Sequence, residues 1–207
     1  TLEAYDDKTM KLAVKFFPDF LKNKGLEIQK IDFPQYGQRS ATLIEDYLKG
    51  KYSTSKEVGP YIASIFYACD RYDLSFKIKK WLDEGKIVIS DRYVVSNVGH
   101  QGGKLINDKK EWEKYIDWLY DLEYTIFKIP RPDYTFILKI SPELSMKMSN
   151  NITDPEKQKK RIAYLGDDKK QDIHEADQQH LTDTLQSYLE IAKKFPEEFK
   201  VIDCLDQ

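Results

Sequence analysis

The chain has 207 residues, 33 Lys+Arg against 35 Asp+Glu, a formal net charge of −2 and nine glycines, the first of them Gly25. Such a length suits one domain with a sizeable core, and 41% hydrophobic with 33% charged residues is a globular composition, not a disordered one. Near-neutral charge argues against a protein whose main task is gripping the nucleic-acid backbone, and no apolar run approaches a membrane span.

The elements follow in chain order. Leu12, Ala13, Phe16, Phe17, Phe20 and Leu21 keep a helical period over Thr9–Lys24. Gly25 is a natural stop, and Pro18 is an awkward interior residue that would kink the helix. Leu26–Phe33 alternates and predicts a strand, and Pro34-Gln35-Tyr36-Gly37 a turn. Ala41–Leu48 and Pro60–Leu82 are predicted helices, the second ended by Gly85. Lys86–Asp91 is the clearest strand, and its β-branched run suits burial on both faces in a parallel sheet. Glu111–Phe127 is a helix with a stripe of Trp112, Tyr115, Leu119 and Leu122. Tyr134–Ile140 is a strand, Pro142–Met148 a short helix and Lys157–Gln171 a charged stretch. Ala176–Phe195 is a helix and Phe199–Ile202 a last short strand.

Repeats, low-complexity stretches and Gly/Ser linkers are absent from the sequence, so one unit over residues 1–207 is expected. Helices alternating with short apolar strands predict a three-layer α/β/α fold with a central parallel sheet. Ligands of such folds sit beyond the C-terminal ends of the strands. That nominates Glu3–Asp6, Phe33–Gly37, Asp91–Gly102 and the end of Ile140. Cys69 and Cys204 make no CxxC or zinc spacing. Thr1-Leu2-Glu3 shows no signal-peptide pattern, so a reducing cytoplasm is the expected setting. Without an initiator Met, the chain is expected to start inside a longer gene product.

The strongest constellation is Asp91-Arg92-Tyr93-Val94-Val95-Ser96-Asn97-Val98-Gly99-His100-Gln101-Gly102. A carboxylate and a guanidinium stand together where a buried strand ends. The carboxylate can hold a hydrated Mg²⁺, and the guanidinium can grip phosphate bidentately. An isolated Asp-Arg is usually a surface ion pair, but Ser96, Asn97 and Gln101 add neutral hydrogen-bonding groups beside these charges.

This segment resembles the Asp-Arg-Tyr-x-x-Ser signature of thymidylate kinases. Phe33-Pro34-Gln35-Tyr36-Gly37, Tyr67-Ala68-Cys69-Asp70-Arg71, Asp172-Ile173-His174-Glu175 and Val201-Ile202-Asp203 resemble further stretches of that family, in the right order along nearly the whole chain. The resemblance implies Mg-ATP-dependent phosphoryl transfer to a deoxynucleoside monophosphate, dTMP favoured, by a P-loop kinase fold with a short helical lid near 154–174. Phe33 and Tyr36 would line the monophosphate site, and Tyr67 would stack on the base. Arg71 would reach the base or phosphate, Arg92 would hold the acceptor phosphate, and Asp91 would organise Mg²⁺ or phosphate-bound water. Asn97 would meet the pyrimidine edge, with Ser96, His100 and Gln101 around it. Taken alone, Phe33 and Tyr67 read as core packing, and Arg71 as a helix-surface charge beside Asp70 or Asp73. His100 stands where Tyr is usual, which opens the question of deoxyribose selectivity; the imidazole could instead bond the sugar or phosphate.

Lys157, Lys159, Lys160, Arg161, Lys169 and Lys170 read blandly as a solvated face. The resemblance makes them lid cations for the transferring phosphates. Arg161 would make the transition-state contact, with Lys169 and Lys170 behind it, and Ile173 replaces the family's lid Arg. A homodimer packed through helices is likewise implied by resemblance only.

The family's phosphate loop, Glu-Gly-x-Asp-Gly-x-Gly-Lys-x-Thr-Gln-x-x-Leu, cradles phosphates on backbone N–H groups. Here Glu3-Ala4-Tyr5-Asp6-Asp7-Lys8-Thr9-Met10-Lys11-Leu12 stands in its place. Glu, Asp and Leu match if four residues are lacking between Asp6 and Asp7. In another register Lys8-Thr9 pairs with Lys-Ser/Thr and the turn glycines are lost. Asp6, Lys8 and Thr9 are the remnant ATP-site candidates in these two registers. Either the sequence omits a loop that the protein carries, or the loop is deleted and the protein is a catalytically dead nucleotide binder. A start inside the first strand and a stop at Gln207, before the family's C-terminal helix, favour omission. A deoxynucleoside kinase with Glu3 as base is a third reading. The Phe-Pro-Gln-Tyr-Gly turn and the Asp-Arg-Tyr-x-x-Ser run suit it less well.

Overall fold

The computed structural model describes residues 1–3, 16–141, 143 and 178–204. Its strands are β1 (Leu2–Glu3), β2 (Ile28–Asp32), β3 (Ile87–Asp91), β4 (Thr135–Lys139) and β5 (Phe199–Asp203). They form one parallel sheet in the order β2-β3-β1-β4-β5. Pairing runs from Ile28 opposite Ile87 to Asp32 opposite Asp91 on one side of β3, and Leu2 lies opposite Asp91 on the other. The β3 carboxylate end therefore sits beside the point where β1 leaves the sheet.

Helices pack on both faces. Ile31, Val88 and Ile137 turn to one face, where they join Ile78, Val94, Val98, Tyr115, Tyr188 and Phe199 in the main core. Alternation along the strands sends Ile28, Ile87, Ile89, Phe136 and Leu138 to the other face, against Leu21. Leu21 belongs to α1, described over 16–22. The sequence predicts its apolar period, but Phe16, Phe17 and Phe20 are exposed while Pro18 is buried. Phe17 still meets Phe136 edge-on, with ring centroids 6.2 Å apart.

Helix α2 (Thr42–Leu48) packs on α3 (Ser55–Asp83), and the main face carries α3, α4 (Val94–His100), α5 (Lys109–Tyr120) and α6 (Gln178–Lys194). The α3 helix starts earlier than its apolar pattern predicts. Thr54 and Glu57 form a capping box that satisfies the first turn. Gly59, at φ 75° and ψ 167°, then breaks the helix before Pro60, which opens the long second segment. Asp108 caps α5 by accepting from the Lys110 and Glu111 amides at 3.1 and 3.2 Å. Past Tyr120 the winding widens into a π-helical turn, Asp121–Ile126, where an uninterrupted helix is predicted. Widened turns of this kind are common at functional sites.

No helix among the described residues is long and apolar enough to cross a membrane. Apart from Glu143, the predicted Pro142–Met148 helix lies outside the described residues, as do the charged stretch Lys157–Gln171 with Arg161, Lys169 and Lys170 and the segment holding Asp6, Lys8 and Thr9.

Candidate acceptor site

The site candidates gather at the C-terminal edge of β3. Asp91 ends the strand, and Arg92 follows at φ 63°. A left-handed backbone at a residue other than glycine persists only where its surroundings fix it. Here the Ser90 hydroxyl donates to the Arg92 carbonyl. Tyr93 is buried against Phe33, with ring centroids 5.7 Å apart, and its hydroxyl donates to the Pro130 carbonyl at 3.1 Å. Burial pushes the Tyr93 phenol well above its ordinary pKa. Phe33 is thus a core residue at the sheet edge.

The turn after β2 is held by a buried carboxylate. Asp70 accepts from the Gln35 amide at 2.9 Å, from Gln35 Nε2 at 3.1 Å and from the Ser40 hydroxyl at 2.5 Å. The Phe33–Pro34 bond is cis, and Gly37 takes φ 83°. Tyr36 and Tyr67 are half-buried against a cluster of Ala41, Ile44, Tyr47, Leu48 and Ala63. The Asp70-Arg71 pair that the sequence places on a helix therefore divides its work: Asp70 fixes the β2 turn, and Arg71 points the other way.

Arg71 is 1% exposed, contrary to its reading as a surface charge. Its Nε donates to Glu123 Oε1 and Oε2 at 3.0 and 3.1 Å, and its Nη2 donates to Oε1 as well. Asp70 and Asp73, the partners considered from sequence, give way to an acid 52 residues away, delivered by the π-helical turn. Burial opposes the guanidinium charge, the Glu123 carboxylate outweighs that cost, and the Arg71 pKa is raised. Arg71 Nη1 donates to the Tyr93 carbonyl at 3.4 Å. That long contact brings α3 to the residue next to Arg92.

The α4 helix supplies the amides. Asn97 is buried; its Nδ2 donates to the Ser64 carbonyl at 3.3 Å, and its own carbonyl accepts from the Tyr115 hydroxyl at 3.1 Å. Ser96 is half-buried, and its amide bonds the Tyr93 carbonyl at 3.2 Å. Gln101 is 1% exposed, and its Oε1 has no hydrogen-bond partner among the described residues. His100 Nε2 lies 3.0 Å from Arg92 Nη1.

Sequence reasoning missed several groups. Glu123 and His180 are buried at long sequence distance from their partners, Arg71 and His100. Lys104 is another: its ammonium donates to the Tyr47 hydroxyl at 3.1 Å and to the Ser55 carbonyl at 3.2 Å, and burial lowers its pKa to about 8. The available signals were Glu123 set among Leu122, Tyr124 and Ile126, and His180 on one helical face with Thr184 and Tyr188.

An acid-arginine pair at a parallel strand's C-terminal end, flanked by buried amides and half-buried tyrosines, suits a phosphate ester carrying a planar base. Comparison with known proteins agrees. A solved structure of thymidylate kinase from Candida albicans superposes with a TM-score of 0.66 at 23% identity, covering 98% of this chain and 81% of that one. Thymidylate kinase of Mycobacterium tuberculosis is 24% identical over 167 residues, 80% of this chain and 77% of that protein. Thymidylate kinase of Rickettsia conorii is 38% identical over 82 residues, 39% of this chain and 37% of that protein. The thymidylate kinase family model matches residues 11–207, beginning downstream of Asp6, Lys8 and Thr9. With a parallel α/β sheet that fits and a family match over nearly its whole length, the chain belongs to the thymidylate kinase family of nucleoside monophosphate kinases, phosphotransferases acting on dTMP.

Proposed function

We propose that the chain passes the γ-phosphoryl group of Mg-ATP to dTMP, using the groups at the β3 edge as its acceptor site. The supporting observation is the meeting of α3 and the β3–α4 turn: Arg71 reaches the carbonyl of Tyr93, whose chain neighbour is Arg92. Arg92 then grips the acceptor phosphate, Tyr67 and Asn97 take the base, and Arg71 reaches the base or the phosphate. Ser96, Gln101, Tyr36 and Phe33 shape the surrounding wall. Transfer is in line and without a covalent intermediate, so the protein's contribution is positioning and charge stabilisation.

Asp91 would hold Mg²⁺. Among the described residues no three His, Cys, Asp or Glu side chains converge on a cation position. A single carboxylate therefore fits an ion whose remaining oxygen ligands come from nucleotide phosphates and water. Bound there, the ion supplies neutralising charge on the phosphates. Arg161, Lys169 and Lys170 as lid cations over about 154–174, and Asp6, Lys8 and Thr9 at the ATP site, rest on the sequence resemblance. The single kinase unit over 1–207 rests on the chain's length and lack of linkers, the cytoplasmic setting on its sparse cysteines, and the absence of nucleic-acid partners on its near-neutral charge. A homodimer through α3 is supported by its exposed stripe of Ile62, Cys69, Tyr72 and Phe76 at helical spacing.

The test is coupled ADP release with dTMP, dUMP, dCMP, dGMP and AMP, on protein whose phosphate loop is established by intact mass. dTMP is expected to give the highest kcat/KM. No turnover with any acceptor would overturn the proposal. Separate calorimetry with dTMP and ATP then tells a dead nucleotide binder from a misassigned acceptor.

A further inference from the structure

Two histidines from distant parts of the chain meet beside Arg92. His100 closes α4, and His180 lies in the first turn of α6. Their rings are stacked at 5.7 Å between centroids and 25° between planes. Tyr188 meets His100 edge-on at 6.3 Å. His180 is 9% exposed. The His100 ring is therefore walled by α6 and turned toward Arg92, with Nε2 3.0 Å from Nη1.

This contact fixes the chemistry of the ring. A guanidinium offers only donors and keeps its charge in proteins. In a hydrogen bond between the two, Nε2 is the acceptor and the imidazole is neutral, with its proton on Nδ1. Arg92 is thereby held at both ends. Its backbone is fixed at φ 63° by the strand end, and its guanidinium by the imidazole. A long side chain already ordered loses less entropy when a phosphate arrives.

We propose that His100 and His180 are positioning residues for acceptor binding: His100 holds the Arg92 guanidinium through Nε2, and His180 with Tyr188 holds the His100 ring. The proposal rests on the reading of Arg92 as the acceptor-phosphate residue. It assigns His100 a task other than touching the sugar. The charged and titratable groups described around His100 are Arg92 from the β3 end and His180 and Tyr188 from α6. Lys104, on the turn that follows, is directed to Tyr47 and Ser55. A protonated His100 would carry an N–H where an acceptor is needed and would repel Arg92. Acceptor affinity should then fall as His100 gains its proton.

The experiment is calorimetric titration of dTMP, without ATP, into wild type, Arg92→Met, His100→Phe, His100→Gln and His180→Ala at pH 7.5 and 5.5, with thermal melts of each. Arg92→Met is expected to lose roughly a hundredfold in affinity, because a charged phosphate contact is removed outright. His100→Phe is expected to lose roughly tenfold at pH 7.5, the worth of about one hydrogen bond to a charged group. The glutamine amide oxygen accepts without titrating, so His100→Gln should recover part of that loss. His180→Ala should lose about threefold, since it acts through a second residue. The wild-type to His100→Gln affinity ratio should drop several-fold at pH 5.5, because the phosphate's own ionisation near ~6 affects both proteins alike and cancels. If His100→Phe binds as wild type while Arg92→Met does not, the positioning proposal is overturned and the acceptor reading stands. If Arg92→Met binds as wild type, the acceptor reading itself fails. A His100→Phe that does not melt cooperatively passes the test to His100→Gln, where a pH-independent ratio overturns the proposal.

Discussion

Removing the Glu123 carboxylate is the sharpest perturbation the structure offers. The Arg71 and Glu123 side chains are 2% and 0% exposed, so neither charge has water to fall back on. Glu123→Ala would leave a guanidinium in the core with only the long contact to the Tyr93 carbonyl described for it. Breaking a buried pair from one side costs about 3–5 kcal/mol, because the remaining charge keeps its desolvation penalty. For a chain of this size each kcal/mol lowers Tm by roughly 2–4 °C, so a fall of roughly 6–20 °C is expected. Removing both charges should cost far less: Arg71→Met with Glu123→Leu replaces the pair by apolar side chains of similar volume, a change often close to neutral in stability. The assay is thermal and urea denaturation of wild type, both single variants and the double variant, read as a double-mutant cycle. A Glu123→Ala variant melting within about 2 °C of wild type would refute the claim that the pair is dry and mutually dependent. A double variant no better than the worse single would refute the claim that charge, not packing, sets the cost. The double variant should still lose dTMP affinity, since Arg71 is also a proposed contact to the base or the phosphate.

Three further outcomes are expected. Gly99→Ala should destabilise by about 1–3 kcal/mol or more and lower expression, because a Cβ there would lie 2.4 Å from the Tyr188 ring, inside the α4–α6 contact; denaturant midpoints measure it, and a neutral result would mean the two helices separate easily. For Lys104, burial lowers the folded-state pKa to about 8 from an ordinary value of 10.5. The unfolded chain therefore binds the extra proton between those values, and wild-type stability relative to Lys104→Met should rise as pH goes from about 8 to 10; a flat difference in urea midpoints over that range would count against a buried ammonium. In the proposed dimer, a twofold axis through the middle of the exposed α3 stripe would bring the two Cys69 thiols together. Mild oxidation should then give a disulfide dimer on non-reducing gels that Cys69→Ser abolishes, while a monomer in sedimentation at micromolar concentration would remove the α3 interface.

What the sequence made legible follows the reach of each signal. Hydrophobic period, the stop glycines Gly25 and Gly85 and the β-branched run at Lys86–Asp91 are local, and they place helices and strands close to where the structure has them. The Asp-Arg-Tyr-x-x-Ser motif was legible for the same reason: Asp91, Arg92, Asn97 and Gln101 come from one strand end and the helix and turn after it. The partners that set the behaviour of those side chains are not local. Arg71 was weighed against Asp70 and Asp73, the acids beside it in sequence, yet Asp70 is spent on Gln35 and Ser40. The guanidinium is neutralised by Glu123, which a change from α to π winding delivers to the core. Nothing near His100 in the chain points to its ring partner, because that neighbour on α6 is 80 residues away, on a helix whose face becomes meaningful only after it packs on α4. The α1 phenylalanines carry the opposite lesson: a helical period was correct about the helix and silent about how much of that face would be covered. The charged groups of this site thus have sequence-local identities and fold-dependent protonation and orientation. A substitution at Glu123 or His180 should therefore alter acceptor binding while leaving the recognisable Asp-Arg-Tyr-x-x-Ser motif intact.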